Sequence, residues 1–166
     1  DPTVTFEIIG WLRRLSSLPV IVKGILRADD ALRCVDAGAA GIVVSGHGGR
    51  RLGPSITPAR ALPEVAAAVG DSVELFADSG LRTGEHIAAA LALGARAVFL
   101  GRPLMWALAA AGSEGVTAVL DELTTELALV LTQLGVPRVS DLTPDVLEMP
   151  SRPVQRSADH PPPALG

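Results

Sequence analysis

Short apolar runs alternate with amphipathic stretches along most of the chain. Four runs, Pro19–Lys23, Gly41–Ser45, Val73–Ala77 and Ala97–Leu100, lack the strict polar alternation of a half-solvated strand. They read as buried strands of a parallel sheet. Helical stretches lie around them. Asp29–Ala37 sets Ala31, Leu32 and Val35 on one side. Pro58–Val69, Gly84–Leu93, Pro103–Ala111 and Val116–Leu134 follow, and an opening helix spans about Phe6–Leu15. Gly38, Gly70, Gly94 and Gly135 stand at or just past helix ends, where a residue free to take positive φ is favoured. Pro103 suits the first turn of its helix. The order is that of successive βα units, whose right-handed crossovers build a parallel sheet. The predicted class is therefore α/β. Counting alone allows two architectures: an open four-stranded sheet, or four βα units forming half of an eight-stranded barrel.

Composition narrows the picture. The length of 166 residues suits one domain, and 48% hydrophobic with 19% charged residues suits a folded one. Seventeen Gly and 13 Pro imply many tight turns. Five of the prolines fall in Pro150–Gly166, which has little apolar surface. This gives an expected boundary: a folded unit over 1–148 and a disordered tail over 149–166, with the lone His160 solvated. A net charge of −4 lacks the basic footprint of a nucleic-acid binder. One cysteine, Cys34, permits no internal disulfide and no cysteine-based zinc site. No metal is expected, and a cytoplasmic location is. No apolar run approaches the ~18 residues of a membrane span, so no membrane association is expected. The chain opens at Asp1 rather than Met, and it reads as a piece of something longer.

Chemistry in parallel α/β folds gathers at the C-terminal ends of strands. The first run ends in Val22-Lys23-Gly24. A lysine finishing an apolar strand needs an anion, a polar cofactor edge or a neighbouring carboxylate. The second ends in Ser45-Gly46-His47-Gly48-Gly49-Arg50-Arg51. Here His47 can act as a base near neutral pH, and Arg50 can grip a carboxylate with two parallel hydrogen bonds. The third ends in Asp78-Ser79-Gly80-Leu81-Arg82, and the fourth in Gly101-Arg102-Pro103 at a helix start. Two arginines, glycine-flanked amides and a helix N-terminus together make a phosphate site.

Taken together, the stretch from Leu18 to Gly135 resembles the C-terminal half of the FMN-dependent α-hydroxy acid oxidases and dehydrogenases. The phosphate loops are shared with other barrel families, whereas Ser45-x-His47-Gly48-Gly49-Arg50 is specific to this one. The resemblance implies half of a TIM (β/α)8 barrel with FMN as cofactor. It implies that Lys23 lies beside the flavin N1 and C2 oxygen and that Ser45 contacts the flavin ring. His47 would be the catalytic base and touch the substrate, while Arg50 would bind the substrate carboxylate. Asp78, Gly80, Arg82, Gly101 and Arg102 would form the phosphate site. The implied reaction is oxidation of a small 2-hydroxy acid to a 2-oxo acid.

Four positions depart from the family pattern. Gly46 stands for Asn, Arg51 for Gln, Gly53 for Asp and Ser79 for Gly. The family's first four βα units are not represented, and neither are their tyrosines; the chain has no Tyr. The expected partner is therefore a missing N-terminal half or, failing that, a second copy. A rival reading is a non-catalytic half-barrel that binds FMN or another phosphorylated ligand.

Overall fold

A computed structural model of the chain describes residues 3–148. The expected tail at 149–166, with His160, lies outside the described residues. The elements are α1 (Glu7–Leu15), β1 (Ile21–Ile25), α2 (Ala28–Asp36), β2 (Gly41–Val44), α3 (Pro58–Val69), β3 (Glu74–Ala77), α4 (Gly84–Ala92), β4 (Ala97–Val98) and α5 (Arg102–Leu134). The four strands form one parallel sheet in the order β1-β2-β3-β4. Consecutive strands are thus spatial neighbours joined by helices, as the spacing of the apolar runs predicts.

The pleat sorts each strand onto two faces. Val22, Ile42, Val44, Leu75, Ala77 and Val98 point to the helices and pack with Ala31, Cys34, Ala61, Leu62 and Val65 in the main core. Ile21, Phe76 and Phe99 lie off that core, with the Phe76 and Phe99 rings 5.5 Å apart between centroids. Ile21 is 47% and Phe99 49% exposed. The expectation that every strand is buried on both faces therefore needs correction. Only β2 is buried throughout. β1 and β4 are edges, and among the described residues no layer covers the face opposite the helices.

Edge position also explains the strand limits. β4 ends at Val98 rather than Leu100, because it pairs with β3 alone. The Phe99 N–H still donates to the Ala77 carbonyl at 2.9 Å. β1 starts at Ile21 rather than Pro19 and continues to Ile25 through a register shift at Gly24. Gly24 has φ +102, which frees the chain to bend out of the ladder there.

The two expected helices Pro103–Ala111 and Val116–Leu134 are the two parts of α5, divided where Ala111 and Gly112 leave helical geometry. By length and composition alone the whole span would pass as long and apolar enough to cross a membrane, but the break falls inside it. The distal part of α5 packs on α4: the Gly84 N–H donates to Glu126 Oε2 at 2.6 Å, and Leu127, Val130 and Leu131 pack around Ala88 and Ala92. Beyond α5, two 3₁₀ turns that the sequence did not suggest, Val139–Asp141 and Pro144–Val146, bring Leu142 and Val146 back onto the same patch.

Candidate active site

All four strand-end loops open at one end of the sheet. β1 and the loops after β2, β3 and β4 line a single cleft of about 380 Å³. Lys23 reaches it from within β1, and His47, Arg50, Asp78, Gly80, Arg82, Gly101 and Arg102 from the strand ends that follow. The remaining candidate, Ser45, is fully buried beneath the cleft floor. Arg51 and Gly53 are exposed and do not line it. Phe99, Leu100 and Met105 add apolar wall that the sequence reading did not assign.

The floor is a polar network. Lys23 Nζ donates to Asp78 Oδ2 at 2.7 Å and to Ser45 Oγ at 2.5 Å. Of the partners a strand-end lysine could find, the structure provides a carboxylate. The Ser45 hydroxyl also accepts the His47 N–H at 3.1 Å. Ser79 Oγ donates to Asp78 Oδ1 at 2.7 Å and accepts the Gly48 N–H at 2.9 Å. Burial is the largest influence on Asp78 and pushes its carboxyl up. Hydrogen bonds from Lys23, Ser45 and Ser79 and the Lys23 charge together outweigh it, leaving the group below its ordinary 3.8.

A carboxyl lowered by folding stabilises the native state above its unfolded value and loses that contribution as pH falls through the native value. The stability carried by the Lys23–Asp78 pair should thus be complete near neutrality and fade below about pH 4. Urea unfolding at descending pH measures this. The stability gap between the parent and Asp78→Asn should narrow in acid.

His47 sits in a left-handed turn at φ 52, with its ring over Gly24. A Cβ on Gly24 would stand 2.6 Å from His47 Cε1. Gly24→Ala should therefore combine a strained φ of +102 with displacement of the ring. The expected loss of stability is about 1–3 kcal/mol, readable from a thermal melt, together with a perturbed His47 imidazole signal in NMR. No carboxylate among the described residues pairs with the His47 ring.

Two further arginines line the cleft. Arg102 opens α5 with Gly101 as its N-cap, and Arg102 Nη2 donates to the Gly48 carbonyl at 3.3 Å. Arg82 stacks over Trp106 with its guanidinium carbon 5.3 Å from the ring centre. Open space lies in front of Gly80 and Gly101, where an ideal Cβ would meet nothing within 4 Å. Two groups here were not assigned from sequence. Trp106 steadies Arg82, and nothing in its local pattern signals that. Ser79 links two loops, and its only signal was a departure from the family pattern.

Comparison with known proteins agrees with this geometry. Residues 1–149 match the family described as FMN-dependent dehydrogenase. The chain is 44% identical over 149 residues to an L-lactate oxidase of Nostoc sp., covering 90% of this chain and 41% of the relative. It is 49% identical over 150 residues to a pre-mycofactocin synthase of Mycobacterium tuberculosis, covering 90% and 38%. Against the human 2-hydroxyacid oxidase 1 it is 49% identical over 135 residues, covering 81% and 36%. The crystal structure of a monotopic membrane protein, (S)-mandelate dehydrogenase, superposes with TM-score 0.86 at 42% identity, covering 89% of this chain and 39% of that one. A mandelate oxidase variant bearing a monooxide FMN adduct gives 0.79 at 46%, covering 82% and 43%. The chain thus spans about two-fifths of the length of the relatives it matches. The four βα units are part of a (β/α)8 barrel, which resolves the choice between an open sheet and a half-barrel. On sequence and on fold, the chain belongs to the FMN-dependent dehydrogenase family.

Proposed function

We propose that this chain supplies the second half of an FMN-dependent barrel that oxidises a small 2-hydroxy acid to a 2-oxo acid. One observation carries the reading: Lys23, His47 and Arg50 line the same cleft as Arg82 and Arg102, the last of them at the N-terminus of α5. The relatives named for lactate, 2-hydroxy acids and mandelate support a substrate of that class.

The residues fit FMN. Arg82, Arg102 and the first amides of α5 suit a phosphate, and the open space before Gly80 and Gly101 leaves room for it. Bound there, FMN supplies the hydride acceptor. Lys23, braced by Asp78 and Ser45, would offer its positive charge to the N1 and C2 oxygen edge of a bound flavin. Arg50 binds the substrate carboxylate as a fork. His47 takes the hydroxyl proton, and its exposed ring leaves room for substrate. Phe99, Leu100 and Met105 give the cleft an apolar side.

Arg82→Ala combined with Arg102→Ala, in the full barrel protein, is the test of the phosphate assignment. Each charge-assisted contact contributes about 1.5–3 kcal/mol, so FMN affinity should fall by on the order of 100-fold or more. Unchanged flavin fluorescence titrations would refute it.

The rival reading, a binding module without turnover, is favoured for this chain by itself because His47 lacks a carboxylate partner among the described residues. Flavin binding without hydroxy acid oxidation by the full barrel protein would select it. A cytoplasmic location is also proposed, in keeping with the free, buried Cys34 thiol. Fractionation of cells expressing the full barrel protein tests this. Recovery in the membrane fraction, as expected of a monotopic protein such as the mandelate dehydrogenase it resembles, would reverse it.

A further inference from the structure

The turn that carries His47 is disfavoured by its own backbone. His47, Gly48 and Gly49 have φ 52, 67 and 75. Glycine takes such values freely, whereas histidine does so under strain. Two successive amides of this turn are therefore tied from outside it: His47 N–H to Ser45 Oγ at 3.1 Å, and Gly48 N–H to Ser79 Oγ at 2.9 Å. Ser79 itself has φ 73. His47 and Ser79 are the two non-glycine residues with positive φ among the described residues, and a single hydrogen bond joins the strained serine to the amide next to the strained histidine.

The bonds close a ring. From the His47 amide it runs to Ser45 Oγ, to Lys23 Nζ, to the two oxygens of Asp78, to Ser79 Oγ, and back to the Gly48 amide. It joins β1 to the loops after β2 and β3. A glycine at position 79 would take φ 73 freely but would open the ring between Asp78 and Gly48. Serine accepts the strain and supplies two hydrogen bonds.

We propose that Ser79 is a positioning residue whose hydroxyl closes this ring, holding the His47 turn over the cleft and the Asp78 carboxylate against Lys23. Gly46 is its natural alternate. An ideal Cβ on Gly46 stands 4.0 Å from Ser79 Oγ and 3.5 Å from Pro58 Cδ, and Gly46 has φ −93 and ψ 15, which an L-residue can adopt. A polar side chain at 46 thus reaches the space the Ser79 hydroxyl fills. The ring can be closed from the β3 loop, as here, or from residue 46.

The effect on turnover rests on the proposed role of His47 as base, so the test separates the two. In the full barrel protein, Ser79→Gly should lower kcat by about tenfold or more, because a base displaced by a fraction of an ångström loses alignment. KM and FMN affinity should hold, and Tm should stay level or rise as strain is relieved. Ser79→Ala should lose the same kcat and also lower Tm, since it keeps the strain without the bonds. Adding Gly46→Asn to Ser79→Gly should restore kcat. A parent-like kcat in Ser79→Gly overturns the proposal, as does a kcat that follows Tm across the two variants; a double variant no faster than Ser79→Gly overturns the exchange with residue 46. If the parent oxidises no 2-hydroxy acid, the functional reading fails but the ring is still tested. Amide exchange of the peptide spanning 46–50 should be faster in Ser79→Gly, and unchanged protection would rule the ring out.

Discussion

His47→Gln in the full barrel protein should lower kcat by about 10²–10⁴-fold, the range for loss of a positioned base, while leaving FMN bound. The two effects separate because Arg102 meets the His47 turn through the Gly48 carbonyl and Arg82 stacks on Trp106, contacts that do not use the imidazole. The imidazole is placed by its main chain, through the Ser45 hydroxyl, and by packing over Gly24. Glutamine keeps the length and the left-handed backbone but cannot accept and return a proton near neutral pH. Arg50→Lys is the companion variant. A point charge replaces a planar fork, so KM should rise more than kcat falls. Steady-state kinetics with a panel of 2-hydroxy acids, alongside the flavin absorbance of each variant, measure both. An undiminished rate in His47→Gln would remove it from the role of base.

The 166-residue chain expressed by itself should associate or precipitate, and should oxidise no 2-hydroxy acid at an enzymatic rate. Two features of the fold lead there. Among the described residues β1 and β4 are each paired on one side only, which leaves rows of backbone N–H and C=O groups without strand partners at both edges. The sheet face opposite the helices exposes Ile21 and Phe99, and α1 adds exposed Trp11, Leu12 and Leu15. Exposed apolar side chains in these numbers favour self-association. In a closed eight-stranded barrel both edges are paired and the inner face is filled. Sedimentation velocity at several concentrations, with an activity assay on the same sample, is decisive. A monodisperse monomer that turns over a hydroxy acid would show that four strands suffice.

Much of the site was legible because strand-end loops are local. Lys23, His47, Arg50 and Arg102 each sit within a few residues of an apolar run that ends in glycine-rich sequence. A parallel sheet brings all such ends to one side whatever lies between. That is why residues picked from four separate stretches line one cleft. The partners of those residues were not legible. Gly48 and Ser79 are 31 residues apart and Arg102 and Gly48 are 54 apart, and no periodicity encodes which loop reaches which. Trp106 beneath Arg82 was likewise hidden, since an aromatic one turn into a helix reads as ordinary wall.

The sequence by itself determined the succession of βα units, the glycines at the helix ends and the chemical character of each strand end. These follow from side-chain periodicity and from backbone preferences that act over a few residues. Tertiary structure alone decided the rest. It set the lengths of β1 and β4, because a ladder exists only where a neighbouring strand supplies partners. It made the outer strands one-sided, because burial depends on what covers a face rather than on the residues in it. It also turned Ser79 from a small deviation in a phosphate loop into the link between Asp78 and the His47 turn. A hydroxyl makes that link only when two loops distant in sequence are brought within 3 Å of each other.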